Sequence, residues 1–480
     1  MTKTIRGLLR SWPGLAAVFG VLLGACSAID QPELGELYSQ AAKVNDLDRN
    51  PIIVIPGILG SRLKSGEDDR VVWGSFVGSY ADPRVPADVE VIGLPMAPGA
   101  ALDQLQDEVE PDGVLDSIRV SLLGLPFEQG AYVHILRTLG AGGYRDEGLV
   151  TAFDIDYGTD HFTCFQFPYD WRRDIVESAK QLDAFIKAQR AYVLQEFETR
   201  YRVVSVEPKF DVVAHSMGGL VLRYYLRYGA QDLPADGSLP ELTWEGAKHI
   251  DKAVLIGTPN AGSIRALRQL VRGAGFGPVV PDYPPALLGT MPSIYQLLPR
   301  PRHDPVVDAA DPEMEIVDYM EPAFWQEMGW GLADPDQAEV IEALLPAVTD
   351  PAERRRIALD HQAKALARAE QFMRAIDRPA TPPDGISLHL IAADSEPTAA
   401  VAAVDRTSGD FEIIDEEPGD GIVPRASALM DERQGRLWQP KVQTPIDWAS
   451  VLFVFDSHQG MTRNPVFTDN ILYLLLEAPA

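Results

Sequence analysis

At 480 residues the chain is long enough to bury a large core and to divide into more than one domain. Against 42 Lys and Arg stand 70 Asp and Glu, a formal net charge of −28. Such a surface repels phosphate, which argues against nucleic acid as a partner and against electrostatic docking on anionic membranes.

Contact with lipid must then come from apolar surface or from an anchor, and the N-terminus predicts an anchor. Lys3, Arg6 and Arg10 precede an uncharged stretch, Ser11 to Ala25, that is short for a membrane span. Leu23-Gly24-Ala25-Cys26 then resembles the lipobox of bacterial lipoproteins. That resemblance implies a signal peptide over residues 1–25, lipidation of Cys26, and a place on the cell envelope outside the cytoplasm. Residues 26–49 are polar and weakly patterned, suited to a tether. With Cys26 acylated only Cys164 remains, so the spacing predicts no intramolecular disulfide.

The apolar run IIVIPGILGSRL (52–63) predicts a central strand and a tight Pro56-Gly57 loop. AYVHILRTL (131–139) reads as a helix and HFTCFQFPYDW (161–171) as a buried strand. From 174 to 200, Ile175, Ala179, Leu182, Ile186 and Val193 fall on a helical period, a stripe read as core packing. Phe210 to Ala214 is a buried strand, and Leu220 to Leu226 continue as a helix up to Gly229. DKAVLIGTPNAGS (251–263) is a strand running into a loop. Residues 264–385 break the alternation and read as an inserted helical cap. The sheet resumes at ISLHLIAAD (386–394) and again within 449–460, and TDNILYLLLEA (468–478) closes the chain as a helix capped by Thr468 or Asp469. Strands alternating with helices predict an α/β fold, a mostly parallel sheet covered on both faces, with core segments 50–263 and 386–480.

Between the strand at 210 and its helix sits His215-Ser216-Met217-Gly218-Gly219. A serine on so tight a strand-to-helix turn is held with its hydroxyl outward, and small neighbours let the chain turn. An N-cap serine would explain neither the glycine pair nor the buried strand before it. Ser216 is therefore the candidate nucleophile, although Ala214 stands where the usual elbow has glycine. A hydroxyl needs a base, and the base needs an acid to orient it, in the chain order Ser, Asp/Glu, His on such a sheet. Of eight histidines, His458 alone follows a late strand in a C-terminal loop. Two carboxylates compete for the acid: Asp394 at a strand end and Asp420 between two glycines; the pattern does not choose. For the oxyanion hole, Met217 supplies one backbone N–H and the PGILG loop the other, from Ile58.

Six stretches in order resemble the lecithin:cholesterol acyltransferase and phospholipid:diacylglycerol acyltransferase family: IIVIPGILGSRL, VVWGSF, FPYDWRRD, AHSMGGL, MPSIYQLLP and GDGIVP. The resemblance implies an α/β-hydrolase fold, places the acid at Asp420 and supports His458 as the base. It implies a serine-dependent O-acyltransferase or phospholipase that takes an acyl group from a lipid ester and passes it to an alcohol or to water. The sequence shows no metal-binding cluster or phosphate-cradling loop, so no cofactor or metal is expected. A plain lipase or esterase would share all these residues, and a non-catalytic surface-anchored binding protein would be expected to have lost some. Asp170 and Trp171, near the expected pocket, read as packing residues. The paired cysteines of the animal enzymes are absent, and neither residues 75–130 nor the cap follow the family pattern.

Overall fold

In the computed structural model the described residues are 37–38, 41, 49–76, 79–115, 117–122, 125–130, 132–146, 162–204, 206–275, 280–433 and 439–478. The signal peptide expected over 1–25 and the lipidated Cys26 lie outside them, as does most of the 26–49 tether. Among the described residues no helix is long and apolar enough to cross a membrane, and Cys164 is a free, buried thiol.

Six of the apolar runs pair into one parallel sheet, in the spatial order Trp448–Val454, Ser387–Ala393, Ile250–Ile256, Phe210–His215, Ile52–Ile55, Cys164–Gln166. The chain starts at Ile52–Ile55, steps out to the edge at Cys164–Gln166, and then crosses back to build the other four strands in sequence. The reversal falls between Ile52–Ile55 and Phe210–His215. Loops leaving the carboxyl ends of two such strands diverge and open a crevice, the usual ligand position in an open α/β sheet. This is the α/β-hydrolase architecture, and the Pro56-Gly57 loop and Ser216 lie at that reversal.

Period-two alternation sorts the strand residues onto two cores. Ile53, Ile55, Val212, Ala214, Ala253, Leu255 and Leu390 face one core. Ile52, Val54, Val213, Val254, Ile256, Ile391 and Ala393 face the other. The helices Ile175–Tyr201 and Met217–Tyr228 cover the first, and the expected stripe from Ile175 to Val193 is fully within it. Val133–Ala141 and Pro465–Leu476 cover the second, through Leu136, Leu139, Ile471 and Leu472. The last helix begins earlier than its apolar run suggested. Asn464, not Thr468 or Asp469, caps it by accepting from the Val466 N–H, and Pro465 occupies the first turn, where its missing N–H costs nothing.

One expected strand is shorter than its apolar run: Phe167 to Trp171 leave the sheet after Gln166. The first strand, Ile52–Ile55, ends at the Pro56-Gly57 loop as expected, and beyond that loop Ser61–Ser65 pairs antiparallel with Val71–Trp73 and Val109–Val114. The segment 264–385, expected as helical, also carries two strands. Val306–Asp308 and Asp311–Ile316 join Glu396–Val404 and Phe411–Gly419 in a separate four-stranded sheet. Its longest element is the helix Pro351–Asp377, capped by Asp350. The C-terminal end of that helix docks on Met217–Tyr228: Arg223 donates to Ile376 O at 2.8 Å, and Tyr228 Oη donates to Ala375 O at 2.8 Å. A buried cation there satisfies a carbonyl the helix cannot and opposes its negative dipole end.

Candidate active site

Strand Phe210–His215 meets helix Met217–Tyr228 with one residue between them. That residue, Ser216, has φ 53° and ψ −125°, backbone that an L-residue adopts at a cost of about 1–3 kcal/mol. Its N–H is fixed to Ile256 O at 2.7 Å, and its side chain makes no capping bond to the helix. The two glycines explain why the turn closes. A Cβ on Gly218 would lie 2.5 Å from Pro56 O, and one on Gly219 would lie 2.0 Å from Thr258 Oγ1. The helix therefore presses directly on the sheet.

The freed hydroxyl meets His458. Ser216 Oγ lies 3.0 Å from His458 Nε2, and His458 Nδ1 lies 2.7 Å from Asp420 Oδ2. All three side chains are buried. His458 sits in the loop after Trp448–Val454, and its N–H donates to Asp420 O at 2.8 Å, so backbone and side chain bind the same residue. Asp420 follows strand Phe411–Gly419; its other carboxylate oxygen accepts from the Ile422 and Val423 N–H groups at 2.9 and 2.7 Å. Burial pushes the Asp420 carboxyl up, but His458 and those two N–H groups outweigh it and hold the group below the usual carboxylate range. Asp394 is elsewhere. It ends strand Ser387–Ala393, is partly exposed, and accepts from Arg425 Nε at 3.2 Å. Of the two candidate carboxylates, Asp420 lies within hydrogen-bond distance of His458 and Asp394 is paired with Arg425 instead.

Gly57 is pressed against the elbow: a Cβ there would lie 2.7 Å from Ser216 Cβ. Ile58, the residue expected to donate one oxyanion N–H, follows it in a turn closed by Gly60 N–H to Gly57 O at 3.0 Å. Met217 is the first residue of its helix, so its N–H has no intrahelical acceptor. Aromatic donors hold the loop in place. Tyr169 Oη donates to Pro56 O at 2.9 Å, Trp73 Nε1 to Leu59 O at 2.8 Å, and Trp171 Nε1 to Ser61 O at 3.3 Å. The packing reading of Trp171 and Asp170 stands, for Asp170 is tied up by Arg172 at 2.7 Å. What the sequence did not show is that VVWGSF and FPYDW clamp this loop. Among the described residues no group of His, Cys, Asp and Glu is placed to hold a metal ion.

Residues 153–331 match the sequence model of the lecithin:cholesterol acyltransferase family. The FPYDWRRD, AHSMGGL and MPSIYQLLP stretches fall inside that span, and the oxyanion loop, Asp420 and His458 fall outside it. No curated protein matches the chain. Among solved structures the chain is similar to one in the Tle4–Tli4 complex, at 14% identity over 91% of this chain and 100% of that one, with a TM-score of 0.49. It is also similar to the phospholipase PlaB from Legionella pneumophila, at 14% identity over 69% and 55% of the two chains, TM-score 0.29. A third is lipase 1 from Pelosinus fermentans, at 12% identity over 90% and 99%, TM-score 0.32.

Proposed function

We propose, from a chain that matches the lecithin:cholesterol acyltransferase family over residues 153–331, that it is a serine-dependent enzyme of lipid esters, an O-acyltransferase or phospholipase. The observation that carries this reading is the unbroken line of hydrogen bonds from Asp420 through His458 to Ser216. His458 Nε2 takes the Ser216 proton as Oγ attacks the ester carbonyl, and Asp420 steadies the imidazolium that results. The Ile58 and Met217 N–H groups receive the oxyanion, and its collapse expels the alcohol of the donor, protonated by His458. The acyl-serine is then attacked by an incoming alcohol or water, again deprotonated by His458.

The finer part of the proposal is the acceptor, a lipid alcohol in competition with water. Transfer wins only where a pocket holds an alcohol in line and keeps water out, and residues 264–385 are long enough to cover such a pocket. The test incubates labelled phospholipid vesicles with and without a sterol or long-chain alcohol and separates the products. Labelled ester rising with alcohol concentration is the expected result. Free fatty acid as the sole labelled product at every concentration would make the protein a lipase.

The anchor belongs to the same proposal. Several acyl chains on Cys26 would keep the enzyme at a membrane of the bacterial cell envelope, outside the cytoplasm, where a single chain would not hold it. Mature protein should partition with membranes, and Cys26→Ala should release it. An intact mass without lipid on the N-terminal residue rejects the anchor.

A further inference from the structure

His215 and Tyr132 lie behind the site and touch none of the reacting atoms, yet they join its two halves. The Gly57 N–H donates to Tyr132 Oη at 2.7 Å, and the same oxygen lies 3.0 Å from His215 Nδ1. His215 Nε2 lies 3.3 Å from the backbone carbonyl oxygen of His458. Proton bookkeeping fixes the directions. The phenol stays protonated because burial pushes it up, so with Gly57 as its donor it gives its own O–H to His215 Nδ1. Nδ1 then accepts, the ring proton sits on Nε2, and Nε2–H donates to His458 O. The other tautomer would set a lone pair against that carbonyl. Burial, with His458 adding to it, pushes His215 down to about 3, so the ring remains neutral and can accept and donate at once.

We propose that Tyr132 and His215 are positioning residues, a relay that locks the oxyanion loop at Gly57 to the backbone of His458. The relay keeps the Ile58 N–H and His458 Nε2 at a fixed spacing across Ser216. It runs through closely packed ground. A Cβ on Gly60 would lie 2.6 Å from the Tyr132 ring, and the His215 and His458 ring centroids are 4.9 Å apart. Neither loop has to move far for the fit to fail, since a misplacement of about 1 Å at a reacting group costs up to ~10²-fold in rate. The inference rests on the acyl-serine reading of the site.

The test uses the purified full chain and a soluble short-chain nitrophenyl ester, with the rate of fluorophosphonate labelling as a second measure. Tyr132→Phe should lower kcat about 10- to 100-fold and leave KM within about twofold, because the substrate still binds but meets a displaced loop. His215→Phe should do the same. Combining the two should cost little more than the worse single change, since both cut one chain. His215→Gln keeps an N–H able to reach His458 O and should recover part of the His215→Phe loss, which simple core packing does not predict. Unchanged kcat in Tyr132→Phe, or losses that multiply, overturns the relay. Should Tyr132→Phe not fold, equal kcat for Gln and Phe at position 215 overturns it instead. Ser216→Ala in the same assay separates the two levels: turnover retained there removes the acyl-serine reading, whereas a dead Ser216→Ala beside an unaffected Tyr132→Phe removes the relay alone.

Discussion

Replacing Ser216 with alanine is expected to lower ester turnover by at least ~10³-fold and to leave the fold intact. The first half follows from chemistry, because without Oγ no acyl-enzyme forms and only the oxyanion N–H groups and binding remain to help water attack. The second half follows from local structure. Alanine has the same Cβ as serine, so the backbone at φ 53° is no more strained than before. The Ser216 side chain caps nothing, and its N–H bond to Ile256 O does not depend on the side chain. The cost is confined to one partner lost at His458 Nε2, about 1 kcal/mol for an ordinary hydrogen bond. Initial rates on a phospholipid, together with an unfolding midpoint, check both halves. Turnover near the wild-type level in a folded Ser216→Ala protein would falsify the nucleophile assignment.

What could be read without coordinates was what local sequence encodes. Short β-branched runs gave five of the six central strands close to their observed places, and the serine between a buried strand and two glycines marked the elbow. His458 emerged by elimination, because chain order restricts the base. Pattern alone left the acid open, since Asp394 and Asp420 both follow strands; only the resemblance of GDGIVP pointed to Asp420, and it is the tertiary path of the loop after Gly419 that brings this residue to His458. The strands Val306–Asp308 and Asp311–Ile316 were missed for a related reason. Val306–Asp308 pairs with Glu396–Val404, some ninety residues on, and Asp311–Ile316 pairs in turn with Val306–Asp308, so nothing in their own few residues announces the sheet they join. The Asn464-Pro465 pair is itself a legible helix start, but it lies further from the apolar run than Thr468 or Asp469. His215 carried one weak signal, a titratable side chain at the end of a buried strand whose preceding residues, Val212 to Ala214, are apolar. Tyr132 carried none: 83 residues separate it from the histidine it contacts.

Asp420→Asn is expected to cost ~10³- to 10⁴-fold in kcat, and Asp394→Asn less than about threefold. The asymmetry comes from hydrogen-bond direction rather than from charge alone. Asp420 Oδ1 is claimed by two backbone donors, Ile422 and Val423, and Oδ2 faces His458 Nδ1. An asparagine in this place keeps its carbonyl oxygen on the two N–H groups, because turning it over would set an NH₂ against two donors. Its NH₂ is then aimed at His458 Nδ1, which can meet it only as an acceptor. The imidazole proton is driven to Nε2, the atom that must be bare to receive the proton from Ser216. The base is thus lost with every atom still in place, and the imidazolium loses its counter-charge as well. At position 394 the substitution removes a partly exposed pair with Arg425, of the kind worth roughly 0–1 kcal/mol, and touches neither His458 nor Ser216. Steady-state kinetics of the two variants on one ester, beside their unfolding midpoints, decide the matter. A larger kcat loss at 394 than at 420 would transfer the acid's role to the strand-end aspartate and contradict the geometry around His458.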